Sequence, residues 1–370
     1  PIPTPTPAPL LDLGFRLVAR VEQPDFAGLT TTSNGQLYAA FDQSAVYRLE
    51  GDAWVLVADD APAEIIGVSD SGRVWAASPN LTADWDGDAW VEYGPDAGWL
   101  FAVGTQWQLV SDFMSASDGT IWMATGQDVR AFDGERWRVY TYADMTMEPV
   151  HTDDAIRSWF TLAEVNGVTW VGECTHSPLG PVDGVGARWF DGGAWHGADS
   201  PAATGCVTKI AVGPDGIVWL DVGPTLYGYD PVTDTWNAYR LPAPPDGFKR
   251  FGYITNMPFD AGGNPWPEMT TCGPAHCYTS FPRYRLDRAS GAFQRVVADI
   301  EFTESILIFD TRGQGWRFDA DGIYRLEGDH FVLAGDARLY GPPVVQTPDG
   351  ALWIICTTEE GGGLWLFSGE

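Results

Sequence analysis

The side chains that could do chemistry in this chain gather in a few segments. His151 and Asp153, with Asp154 beside them, share one polar stretch. Glu173 and His176 share a second, and His276 stands between Cys272 and Cys277. Imidazoles and carboxylates that converge can hold a metal or work as acid and base. No G-x-S-x-G, H-E-x-x-H or phosphate-binding glycine loop accompanies them. No repeated carboxylate pair points to glycoside hydrolysis. The run Asp84-Trp85-Asp86-Gly87-Asp88 looks like a calcium loop but lacks the later bidentate Glu, and sister segments mark it as a hairpin turn. A lyase or hydrolase using His151, Asp153, Glu173, His176 and His276 is one expectation. Polar residues on solvated loops is the plainer one. No motif calls for a cofactor or a resident metal.

A second set could hold a ligand without reacting. Of 18 tryptophans, all but Trp99, Trp107 and Trp159 fall in recurring slots or in third strands. Those three are free to stack on a sugar or an apolar surface. Lys249 and Arg250 add a cationic pair to a chain of strongly acidic balance.

The elements that must position these residues are legible from a repeat. A Gly-containing turn followed by an aromatic occurs eight times, as in Asp118-Gly119-Thr120-Ile121-Trp122 and Asp215-Gly216-Ile217-Val218-Trp219. The anchors run from Tyr38 to Trp353 at a mean spacing of about 45 residues. A second aromatic slot holds Trp54, Trp90, Trp137, Trp195, Trp236, Phe293 and Phe331, and its eighth copy is Phe15 at the far end of the chain. Four short strands per unit at this period predict an all-β, eight-bladed β-propeller of four-stranded antiparallel blades. The last repeat runs out before its fourth strand. Phe15–Arg20 matches the fourth strand over residues 54–59 in residue class, and a strand over residues 13–20 is expected to complete the blade and close the ring. Residues 11–370 then form a single propeller, preceded by a Pro/Thr-rich spacer over residues 1–10.

Composition narrows the function. The formal net charge is −29, from 21 Lys plus Arg against 50 Asp plus Glu. That balance favours solubility and disfavours nucleic acid, because no basic stripe exists to release counterions. No apolar run is long enough to span a membrane as a helix. The spacer suits an outer-surface domain and is compatible with a lipid anchor upstream of Pro1. Five cysteines are too few for a disulfide scaffold, and their odd number leaves a thiol over. Cys272 and Cys277 could close a short loop or form half a metal site, though no second pair sits at zinc-like spacing.

The segment Asp118-Gly119-Thr120-Ile121-Trp122-Met123-Ala124-Thr125, continued by the strand and turn up to Trp137 and Tyr140, resembles the repeat of two-component regulator propellers. WD repeats and the streptogramin-lyase type of propeller fit less well. The resemblance implies an extracytoplasmic ligand-binding propeller, here without a kinase or a membrane-spanning segment. It also implies that loops between second and third strands, and between blades, open on one face. Every large insertion falls there: residues 94–108, 143–155, 172–187, 197–206, 241–250, 270–283 and 357–363. In that frame Cys174 and Cys206 share a face in neighbouring blades, so a Cys174–Cys206 disulfide is expected, as is Cys272–Cys277, with Cys356 the odd thiol. The leading functional expectation is a non-enzymatic extracytoplasmic module. It would hold a protein or glycan at the cell surface on the long-loop face near blades three to six, through Trp99, Trp107, Trp159, Lys249 and Arg250. A structural subunit of a surface assembly is the remaining alternative.

Overall fold

The computed structural model describes residues 13–20, 26–41, 45–78, 81–99, 110–148, 157–177, 180–243, 250–272, 277–279, 283–296, 305–319, 322–335, 338–358 and 361–367. The spacer, Trp107, His151, Asp153, Lys249 and His276 lie outside them.

The blades start from turn chemistry. In the third repeat the Asp118 carboxylate accepts the Thr120 N–H, and Gly119 sits at φ 88°, a conformation that a Cβ disfavours. This turn joins Asp112–Ser115 to Ile121–Ala124. Asp133 accepts from the N–H groups of Glu135 and Arg136, which turns Val129–Phe132 into Trp137–Tyr140. The two middle strands are buried throughout, as strands covered on both faces must be, whereas the outer strand buries only Trp137 and Tyr140. Asp86 caps its turn in the same way, through Asp88 and Ala89, so the apparent calcium loop is a hairpin.

Seven four-stranded antiparallel sheets are present among the described residues, so the β-propeller has seven blades rather than the eight expected. The sixth repeat is the one that fails. Its residues divide into a three-stranded sheet, Arg250–Asn256 with Glu268–Cys272 and Cys277–Thr279, and a two-stranded sheet, Arg283–Asp287 with Ala292–Val296. The cause is local. Pro265 and Pro267 bracket the anchor Trp266 and carry no N–H for a ladder, so the strand starts only at Glu268. A backbone bond from the Leu286 N–H to the Pro265 carbonyl, 3.0 Å long, links the two parts of the repeat there, beside a bond from Arg285 to Asp260. Blades keep the number of the repeat that forms them: one to five, seven and eight.

The closing strand is Phe15–Arg20, two residues shorter than expected because Leu13 and Gly14 form a turn before it. It pairs antiparallel with Gly361–Phe367, Phe15 opposite Phe367 and Arg20 opposite Gly363, and completes blade eight.

The two aromatic slots meet between blades. The first-slot ring of one repeat stands edge-on to the second-slot ring of the next: Trp75 on Trp137 at 5.9 Å, Trp122 on Trp195 at 6.3 Å, Trp170 on Trp236 at 6.3 Å. Trp316 on Phe15, at 6.0 Å, continues the series across the ring closure. Edge-to-face contact suits the aromatic quadrupole and adds to the area buried. First strands line the axis. Phe26–Thr31 lies against Glu64–Val68 and Arg338–Gln346, and Asp112–Ser115 lies against Glu64–Val68 and Arg157–Val165.

Candidate functional site

The long-loop end of blade four is the most elaborated place in the described structure. Its strands Arg157–Val165, Val168–Ser177 and Gly180–Phe190 run to 9, 10 and 11 residues, matched among the described strands of other blades only by the 9 of Arg338–Gln346, and the last two continue as a hairpin to the pair Ser177 and Gly180. What the sequence suggested to be a loop over residues 172–187 is therefore mostly β-ladder. Along it, Trp159 stands opposite Cys174, Phe160 opposite Glu173 and Arg157 opposite His176.

Glu173 is placed to hold this hairpin. It is 1% exposed. Its carboxylate accepts from the Val185 N–H at 2.8 Å, the Thr175 hydroxyl at 3.0 Å and the Tyr142 hydroxyl at 3.2 Å. Such satisfaction is what a buried carboxylate requires, and it leaves Glu173 tied up rather than presented to a substrate. Among the described residues no group of three or more His, Cys, Asp or Glu converges to hold a metal. The structure gives His176 a backbone place only, between Arg157 and Pro181 in register.

A segment entering blade five fastens the hairpin down. Cys206 forms a disulfide with Cys174. The Val207 N–H donates to the Glu173 carbonyl, and Val185 and Gly205 form a parallel bridge. A Cβ at Gly184 would come within 2.6 Å of the Cys206 backbone, so the close approach needs glycine there. Cys272 and Cys277 face each other in register across their ladder, and their side chains lie outside the described set. Cys356 is a buried free thiol, pushed up to about 12 by burial, and so is unreactive.

The same segment carries residues that sequence reasoning missed. The N–H groups of Thr208 and Lys209 donate to one oxygen of Asp221, at 2.9 and 2.7 Å, and the Thr208 hydroxyl donates to the other. Thr208 Oγ1 in turn accepts the Ile254 N–H of the sixth repeat at 3.0 Å. Four residues, Cys206 to Lys209, thus join blade four, blade five and the sixth repeat. Burial raises Asp221 to about 7 against the downward pull of its donors. On the axis, Asp112 of blade three accepts from Leu162 N–H at 2.8 Å and the Thr161 hydroxyl at 3.3 Å in blade four, and burial raises its carboxyl too. One signal for Asp221 exists in the sequence: it is the lone charge in the apolar strand Val218–Val222.

The expected ligand-contacting tryptophans separate. Trp159 is 37% exposed beside the disulfide. Trp99 is the correction: it is 0% exposed. A 3-10 turn at Pro95–Ala97 folds the chain back, and the Trp99 indole donates to the Ser78 carbonyl at 3.1 Å. Its ring packs on Trp137 and lies 4.5 Å from the buried guanidinium of Arg130, which Asp128 pairs. Trp99→Ala is therefore expected to cost about 3–5 kcal/mol, as large aromatic truncations in cores do. Urea unfolding beside Trp122→Ala checks this. A cost below about 1 kcal/mol would return Trp99 to the surface. Arg250 opens the strand Arg250–Asn256, opposite Cys272.

These features define an acidic β-propeller whose fourth blade carries a stapled hairpin. No protein-family model matches the chain, and no curated protein sequence matches it. Among solved structures it is similar to the WD40 domain of SCAP from fission yeast, with TM-score 0.52 and 10% identity over 96% of this chain and 98% of that one. It is also similar to BamB from Moraxella catarrhalis, with TM-score 0.49 and 12% identity over 95% and 99% of the two chains. A third similarity is to the extracellular domain of a putative hybrid two component system from B. thetaiotaomicron. There the TM-score is 0.47 and the identity 11%, over 96% of this chain and 39% of that one. At such identities the likeness concerns the fold.

Proposed function

We propose that this protein is a non-enzymatic, extracytoplasmic binding or assembly module that holds a partner protein or glycan on its long-loop face, centred on blade four. The stapled hairpin carries the reading. It rises beyond the four-stranded sheet, is fixed by the Cys174–Cys206 disulfide and by Glu173, and sets a partly exposed Trp159 beside that fixture. Preorganising a contact surface lowers the entropy cost of binding. Aromatic side chains are the usual anchors of such surfaces. A disulfide suits an oxidising compartment, and the repeat's resemblance to two-component regulator propellers points the same way. The use of Glu173 as a structural pin weighs against the acid/base alternative.

The test is cross-linking of the protein on the cells that make it, with a glycan array in parallel. Contacts should cluster on residues 157–187 and 202–209. Trp159→Ala should weaken them about tenfold or more, the scale of an interface anchor, with an unchanged melting temperature. Contacts concentrated on the Asp-Gly hairpin face, or indifferent to Trp159, would overturn the proposal.

A further inference from the structure

The axial wall of blades one to three contains a cavity of about 630 Å³, formed by the first strands Phe26–Thr31, Glu64–Val68 and Asp112–Ser115. A recess of about 240 Å³ between blades one and two shares the stretch from Glu64 to Val68 with it. The larger volume lies in the range of small-molecule sites, roughly 300–1,000 Å³. It is built by different elements from the hairpin of blade four, although Ser111 in its wall donates to the Phe160 carbonyl of that blade.

One glycine shapes the cavity and another the recess. A Cβ at Gly67 would lie 2.5 Å from the ring of Phe113, so glycine lets that ring settle into the cavity wall. At Gly28, in the wall of the recess, a Cβ would meet nothing within 4 Å, so the strand there faces open space. Register shifts at Phe26/Gly28 and Ile65/Gly67 bulge both strands beside the cavity, and bulges re-aim side chains.

The lining has two characters. Ile66, Phe113 and Met114 give an apolar floor. Glu64, Asp70 and Asp112 stand around it, and among the described residues no Lys, Arg or His lines the space. Asp70 is held by the Ser33 N–H and Asp112 by blade four, so both are fixed in place. Glu64 is exposed and has no hydrogen bond or ion pair among the described residues. Asp112 accepts from blade four and has Lys209 near it, and Asp70 accepts from Ser33, so Glu64 is the carboxylate that a neutral apolar ligand would leave unanswered. An anion would be repelled by it and by the net charge of −29.

We propose that this cavity binds a small organic cation, an ammonium group carried on an apolar body. The body covers Ile66, Phe113 and Met114 while the ammonium sits toward Glu64.

Isothermal titration of the full chain tests it with three probes of one shape: phenethylammonium, 2-phenylethanol and phenylacetate. Phenethylammonium should bind one to one, 2-phenylethanol at least about tenfold more weakly, and phenylacetate without measurable heat. Glu64→Gln and, separately, Thr30→Trp should each weaken phenethylammonium about fivefold or more. Thr30 lines both spaces, and Thr30→Trp acts by filling the cavity rather than by removing charge. Glu135→Gln, on an exposed hairpin turn of blade three, should leave binding unchanged. Absence of one-to-one binding, equal binding of phenylacetate, or indifference to both cavity variants would overturn the proposal. So would an equal loss in Glu135→Gln, which would mean attraction to the protein's overall charge.

Discussion

Deleting residues 1–20 is expected to abolish cooperative folding, while deleting residues 1–9 leaves the unfolding transition unchanged. The strand Phe15–Arg20 is the fourth strand of blade eight, and without it Gly361–Phe367 becomes an unpaired edge. Phe15 is also the aromatic that blade seven needs. Its ring stands edge-on to Trp316 at 6.0 Å and Phe318 at 6.5 Å, and packs on Phe367 at 4.9 Å. Phe15→Ala alone should cost about 3–5 kcal/mol. The longer deletion loses that contact, the ladder and the covalent tether that brings both ends of the ring together. Denaturant unfolding followed by tryptophan fluorescence, with calorimetry, separates the cases. If the chain lacking residues 1–20 melts like the parent, the ring is held by blade-to-blade packing alone.

Asp221→Asn should stabilise the protein, and the gain should grow with pH. Burial raises the Asp221 carboxyl to about 7 in the folded state, from its ordinary value of 3.8. Between those values the folded form keeps a proton that the unfolded chain releases. Stability is therefore fully present below the unfolded value and is lost as pH rises towards about 7, levelling off above. Asn cannot ionise. Its carbonyl still accepts from the Thr208 and Lys209 N–H groups, and its amide donates to Thr208 Oγ1, as the protonated acid would. The stability gap between variant and parent should widen by about 2 kcal/mol between about pH 5.5 and about pH 8.5. Calorimetric melting across that range reads it. Comparison with the parent cancels the general loss that mounting negative charge imposes on a chain of −29. A gap that stays constant with pH would show that the donors, rather than burial, decide this carboxyl.

Both results probe joints between blades, and the joints were unequally visible in the sequence. Turns are decided within a few residues. An Asp that accepts its own backbone N–H groups and a Gly at positive φ need no distant partner, so the hairpins of blade three are readable from Asp118-Gly119 and Asp133-Gly134. The aromatic slots are readable because every blade solves the same packing problem, which is also why Phe15 could be assigned to the far end of the ring. The Cys174–Cys206 disulfide followed from placing both residues on one face. The blade count did not follow, because an aromatic period records where rings pack and not whether a strand can form beside them. Trp266 keeps the period, but the flanking prolines remove the donors a ladder needs.

The chain's own order of residues thus determined local turns, the repeat, the closing strand and the acidic charge, all of which depend on near neighbours or on a period. Tertiary structure alone decided what each polar or aromatic side chain is for. Trp99 and Trp159 both stand outside the repeat, yet one is sealed against Arg130 and the other borders solvent. Glu173 reads as a base until Tyr142, Thr175 and Val185 surround it. Burial raises the Asp221 carboxyl against the pull of donors that the entrance to its own blade brings to it, and Thr208 passes that contact on to Ile254. Burial and hydrogen-bond partners are set by contacts between blades, tens of residues apart in sequence, and no local pattern encodes them.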